Sequence, residues 1–168
     1  MPDFRLAIPS AFTLGNAFCG FTGIHFALND NFISAFYMIL LAAFLDFWDG
    51  FLAKKLGVDG ELGKQLDSLA DVITFGALPA FILFQWMKDG GVYLEFLKPF
   101  KSILPFFAVL ILLCSIWWLA KFNANDDQKT FFRGLATPAS AILIGSIGIS
   151  FAFKGFYYPI FWFNEASI

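Results

Sequence analysis

Asp46, Asp49, Asp67 and Asp71 form two pairs, three and four residues apart, inside stretches that are otherwise strongly apolar. Residues with those spacings share a face of a helix. Gly50 and Ala53 continue the stripe of the first pair, and Gly63 lies one turn before the second. The turn-like run Gly57-Val58-Asp59-Gly60 separates the pairs, so the two helices are expected to pack as antiparallel neighbours with their carboxylate faces able to meet. An aspartate inside a bilayer costs roughly 2.5–3.5 kcal/mol even on the lenient insertion scale. Four like charges in one place also repel one another. A hard divalent cation offsets both effects, because all-oxygen ligand sets suit Mg²⁺, Mn²⁺ or Ca²⁺. No Cys or His stands close enough in the sequence to make a zinc site. Gly50, Ala53 and Gly63 leave room either for close backbone approach or for a ligand.

The elements that must position these acids are membrane helices. The chain has 168 residues, of which 59% are hydrophobic and only 14% charged, with 25 Phe and 5 Trp. Soluble domains carry nearer 25% charged residues, so lipid is the expected solvent. A formal net charge of -2 gives no footprint for nucleic acid. A spanning helix needs roughly 20 mainly apolar residues. Ile8–Leu28, Ser102–Ala120 and Gly134–Phe153 meet that requirement without a charged residue. Phe32–Leu45 and Val72–Met87 reach spanning length only by absorbing the aspartate segments, giving helices over Phe32–Lys55 and Gly63–Met87. The last run, Gly155–Asn164, is short and reads as an incomplete sixth helix before the chain stops at Ile168. The expected fold is thus all-α, a single domain over 1–168 forming a polytopic bundle of about six transmembrane helices. Asp3 and Arg5 cancel and no small-residue cleavage site follows, so the N-terminal run is read as a retained span rather than a secretion signal. With the N-terminus inside, Arg5, Lys54, Lys55, Lys64, Lys121, Lys129 and Arg133 lie on one side, against four lysines on the other. That bias places the 54–64 turn in the cytoplasm.

Written out, the acidic stretch is Asp46-x2-Asp49-Gly50-x2-Ala53-Lys54-x8-Gly63-x3-Asp67-x3-Asp71. This resembles the signature of the CDP-alcohol phosphotransferases at seven of its eight fixed positions, with Lys54 where the family has arginine. The runs Ile8-Pro9, Thr13 to Gly20, Ser68 to Ala80, Leu119 to Asn123 and Gly134 to Ala139 resemble the branch of that family whose acceptor is serine, with Lys121 again replacing an arginine. The resemblance implies displacement of CMP from CDP-diacylglycerol by the hydroxyl of L-serine in the cell membrane, with Mg²⁺ or Mn²⁺, as two ions, and a homodimer.

It further implies that Asp46, Asp49, Asp67 and Asp71 bind metal and that Asp71 is the general base. Gly50, Ala53, Lys54, Gly63, Ser68, Lys121 and Asn123 become substrate-binding candidates. Lysine at position 54 keeps the charge but loses the bidentate fork of arginine, so weaker CDP binding is expected. Lys54 and Lys55 also read as a positive-inside anchor pair, and Lys121 as a snorkelling end-anchor. His25, near the outer end of the first helix, reads as an interface residue. Gly15, Gly20 and Gly23 read as helix-packing contacts, and Cys19 and Cys114 as small hydrophobes without a disulfide. Two alternatives stay open: another acceptor (glycerol phosphate, inositol phosphate or choline), and a divalent-cation transporter. A transporter needs acids spread along a path near the midplane, whereas these cluster at one end beside Gly and Lys.

Overall fold

The computed structural model describes residues 4–58, 60–88, 99–100, 102–124 and 137–161, and these are helical with no strand among them. Five helices follow in order: α1 (Phe4–Leu28) and α2 (Phe32–Leu56), α3 (Glu61–Lys88) and α4 (Leu104–Ala124), and α5 (Thr137–Phe161). The first four are long and apolar enough to cross a membrane, and so fit a polytopic bundle. The expected break before Gly155 is not present, since α5 runs through it without interruption. Gly155–Asn164 therefore does not start a separate helix within the described residues, since α5 continues through Gly155 and Pro159 to Phe161. The segments carrying Lys129, Arg133 and most of the 88–101 connection lie outside the described residues.

The α1–α2 and α2–α3 turns are built by local chemistry. Asn31 caps α2 by accepting the Ser34 amide at 3.1 Å. At the far end Gly57 takes the left-handed conformation (φ 64°, ψ 34°). There the Gly57 and Val58 amides donate to the Lys54 and Ala53 carbonyls at 3.2 and 3.1 Å, a Schellman closure that only glycine forms without strain. Four residues later α3 starts back, antiparallel to α2.

α3 departs from the uniform α-helix expected over Gly63–Met87. Residues Val72–Ala77 form a π turn between α-helical segments. The wider turn begins immediately after Asp71, so it re-aims the following residues relative to the acidic face, as π-bulges at functional sites do. Phe75 and Leu78, which follow, are fully buried in a core with Ile39, Ala35, Ala42 and Ile82.

α1 packs against both α2 and α3, α4 against the π turn, and α5 against α2 and α3. Close approach between α1 and α3 depends on Gly20: a Cβ there would sit 2.9 Å from the Thr74 Cα and 2.5 Å from its hydroxyl. Gly23 is packed as tightly against Leu78 and Met38, so the glycine stripe on α1 is a packing surface as expected. The outer surface is apolar, with Phe18, Phe21, Phe44, Phe47 and Trp117 exposed, which fits lipid rather than water around the bundle.

Gly20→Val is expected to destabilise the detergent-solubilised protein by about 1–3 kcal/mol, the usual cost of overpacking. Gly63→Ala meets open space and should leave the thermal midpoint unchanged or slightly raised. Equal midpoints for the two variants would show that the α1–α3 contact is not tight.

Candidate functional site

The antiparallel α2–α3 pair brings the four aspartates together. One carboxylate oxygen from each of Asp46, Asp49 and Asp67 lies within 4.8 Å of the others. Asp46 is also within hydrogen-bonding reach of Asp67 and Asp71. Asp49 and Asp71 are buried, at 6% and 7% exposure, and Asp46 and Asp67 are half-buried. Asp71 stands one turn deeper, outside the close group of three.

The donor set fits a divalent cation. Oxygens each bonded to one ion at roughly 2.0–2.6 Å can be up to about 4–5 Å apart, and the 4.8 Å limit of this group falls in that range. Asp67 Oδ1 is buried with no hydrogen-bond partner, although a buried carboxylate oxygen without a donor or cation is strongly disfavoured. The set is wholly oxygen, the donor type that suits Mg²⁺, Ca²⁺ and Mn²⁺.

Two functional side chains come from α1, which sequence reasoning had not placed at the site. The Thr13 hydroxyl lies 2.7 Å from Asp49 Oδ2 and 3.1 Å from the Pro9 carbonyl; its single proton favours the shorter, charged acceptor. Asn16 Nδ2 donates to Asp71 Oδ1 at 3.1 Å. The signal was available: Thr13, Asn16 and Gly20 recur at i, i+3 and i+7 along an otherwise apolar helix. Only a partner helix could say that this stripe faces acids rather than another apolar surface.

A cleft of about 460 Å³ opens beside the carboxylates toward the α2–α3 turn, lined by Thr13, Asp49, Gly50, Ala53, Lys54, Gly63, Lys64 and Asp67 among others. A Cβ on Gly50 or Gly63 would meet nothing within 4 Å. These glycines therefore bound open space rather than a close backbone contact. Lys54 is exposed at the rim and Lys64 half-buried.

Ser68 and Asn123 belong to a second network on the α4 side of α3. Asn123 Nδ2 donates to the Ser68 hydroxyl at 2.7 Å, and Ser68 donates to the Lys64 carbonyl at 3.0 Å. The Lys64 ammonium approaches the Asn123 carbonyl at 3.5 Å, and Asn123 Oδ1 is buried without a partner. Lys121, two residues earlier and so about 200° round the helix, is exposed and is not drawn into this network. His25 is exposed and lies about 18 Å along α1 from Thr13. Cys19 and Cys114 are both free.

The chain belongs to the CDP-alcohol phosphatidyltransferase family, whose pattern matches residues 6–165. It is similar to the CDP-diacylglycerol–serine O-phosphatidyltransferase of Bacillus subtilis (strain 168), at 36% identity over 82% of this chain and 72% of that protein. It is also similar to the protein of the same name from Mycobacterium leprae, at 34% identity over 93% of this chain and 51% of that protein. A third relative is the archaetidylserine synthase of Methanothermobacter thermautotrophicus, at 33% identity over 90% of this chain and 60% of that protein. The chain thus spans little more than half the length of the latter two. No solved structure matches it.

Thr13→Val keeps shape but removes the donor to Asp49. Because partners that orient metal ligands are worth about 10–100-fold in affinity, this variant should bind Mn²⁺ at least tenfold more weakly, read by electron paramagnetic resonance titration. Unchanged affinity would separate Thr13 from the carboxylate group.

Proposed function

We propose that this chain transfers the phosphatidyl group of CDP-diacylglycerol to the hydroxyl of L-serine, giving phosphatidylserine and CMP. The observation that carries the reading is one arrangement: three carboxylates within 4.8 Å, a fourth that accepts a hydrogen bond from Asn16, and an open cleft beside them bounded by Gly50 and Gly63. The family supplies the reaction class, and the names of all three relatives contain serine, the archaeal one differing in the lipid. A transporter fits less well. Asp49 and Asp67 share one cleft with Gly50, Gly63 and Lys54 at the α2–α3 turn, where a transporter needs acids spread along a path.

Asp46, Asp49 and Asp67 would hold divalent metal, with Asp71 as a neighbouring ligand; Mg²⁺ or Mn²⁺, as two ions, fits the all-oxygen set. Bound there, the metal supplies positive charge against the diphosphate and stabilises charge on the attacking and leaving oxygens. The cleft walls at Gly50, Ala53 and Gly63 receive the nucleotide, and Lys54 at the rim meets the diphosphate. Ser68 on α3 and Asn123 on α4, hydrogen-bonded to each other, provide polar partners for the acceptor, and Lys121 stands where the family pattern has an arginine. Asp71 takes the proton of the serine hydroxyl. The serine oxygen then forms a bond to the phosphorus that bears the diacylglycerol. The bond from that phosphorus to the bridging oxygen breaks, and CMP leaves with the electron pair. The lysine bias puts the cleft on the cytoplasmic side of the cell membrane, where serine and CMP are dissolved while the lipid tails stay in the bilayer. The family resemblance extends this reading to a homodimer.

Membranes containing the chain, supplied with CDP-diacylglycerol and Mn²⁺, should release CMP on addition of serine and not with glycerol phosphate, inositol phosphate or choline. Faster release with another alcohol would overturn the acceptor assignment. Asp71→Asn should lower transfer by about 10³-fold, within the usual range for a general base, while the protein still inserts; a near-normal rate would remove Asp71 from that role.

Lys54→Arg restores a bidentate donor and should reduce the KM for CDP-diacylglycerol severalfold with little change in kcat. An unchanged or higher KM would count against a diphosphate contact at this position.

A further inference from the structure

Asn16 is fully buried, at 0% exposure, yet its amide is only half satisfied. Nδ2 donates to Asp71 Oδ1 at 3.1 Å, while Oδ1 has no partner. A buried acceptor left without a donor is destabilising, so helix packing alone does not account for an asparagine here; leucine would fill the same volume without that penalty. The reverse amide orientation would set two acceptor oxygens against each other, so the contact to Asp71 determines which way the amide points. Asn16 is also tied down through its backbone, where its carbonyl accepts the Thr74 hydroxyl at 3.0 Å. Asp71 and Thr74 flank the start of the π turn, and Gly20 lets α1 approach that turn closely. Asn16 is thus held at two points on the segment that carries Asp71.

A carboxylate rotates broadly about its terminal torsion, whereas proton transfer demands a partner within about 2.6–3.2 Å. A donor fixed on one oxygen removes that freedom. We propose that Asn16 is a positioning residue that holds Asp71 through Oδ1 and so directs its other oxygen at the acceptor hydroxyl. This rests on the reading of Asp71 as the base.

The test uses the full chain, purified in detergent with Mn²⁺, as Asn16→Leu and as Asn16→Ser. Serine is smaller than asparagine and its hydroxyl lies one bond nearer the backbone, so Asn16→Ser withdraws the donor from Asp71 without overpacking and covers the case in which Asn16→Leu fails to fold. Three quantities are read: kcat for CMP release, KM for CDP-diacylglycerol, and calorimetric binding of CDP, which needs no turnover. Losing a hydrogen bond to a charged group predicts a kcat at least tenfold lower, with KM and CDP affinity within threefold of the parent. A kcat within threefold of the parent in either folded variant overturns the proposal. A parallel loss of CDP binding and kcat in both also overturns it, because that pattern is a structural role. Asp71→Asn, measured alongside, separates the two readings. If it stays active, the assignment of the base fails; if it is inactive while the Asn16 variants keep their kcat, only the positioning role fails.

Discussion

Carboxyl groups gathered inside an apolar bundle repel one another and lose the hydration that keeps them charged, and much of this structure answers that difficulty. Asp46, Asp49 and Asp67 stand within 4.8 Å, a separation that only a cation or shared protons make tolerable in a low-dielectric surround. Among the described residues, the cations of the cleft are Lys54, exposed at its rim, and the half-buried Lys64. The bundle also provides neutral donors from α1. Thr13 on Asp49 and Asn16 on Asp71 orient the two most buried acids and leave the facing oxygens of the group for a ligand. An all-oxygen group of this kind could accept a divalent cation.

Each helix contributes to that arrangement through a different physical device. The left-handed Gly57 reverses the chain so that α2 and α3 run antiparallel. Gly20 brings the α1 backbone against Thr74, which is what allows two short side chains to reach across. The π turn after Asp71 changes the facing of α3 part-way along, so that acids line the cleft above while Phe75 and Leu78 fill the core below. Glycines at 50 and 63 do the opposite of Gly20: nothing lies within 4 Å of where their side chains would be. Small residues thus serve as packing surface on α1 and as cleft wall on α2 and α3. The cleft opens at the helix ends while the outer faces carry Phe18, Phe47 and Trp117 in exposed positions. That geometry suits one substrate dissolved in water and another dissolved in lipid.

Much of this was legible in the amino-acid sequence. Apolar length and the two aspartate spacings gave helices whose observed bounds differ by a few residues from those expected, Phe4–Leu28 against Ile8–Leu28 and Phe32–Leu56 against Phe32–Lys55. The pairing of the two carboxylate faces followed from the short glycine-bounded turn. Less legible were the continuous α5, because a single Gly155 reads as a break but does not stop a helix, and the π turn, because its residues are as apolar as an α-helix would need. Thr13 and Asn16 went unassigned for a related reason: one helix's stripe of small and polar residues says that something packs there, but not what.

By itself, then, the sequence determined the solvent, the helices and which acids share a helix face, since these depend on composition and on spacings along one chain. Tertiary structure decided which neutral donors meet those acids, which glycines face a neighbour and which face open space, and which three of the four carboxylates group most closely. Those are relations between helices far apart in sequence, and they rest on packing distances of a few tenths of an ångström that no periodicity along a single helix encodes.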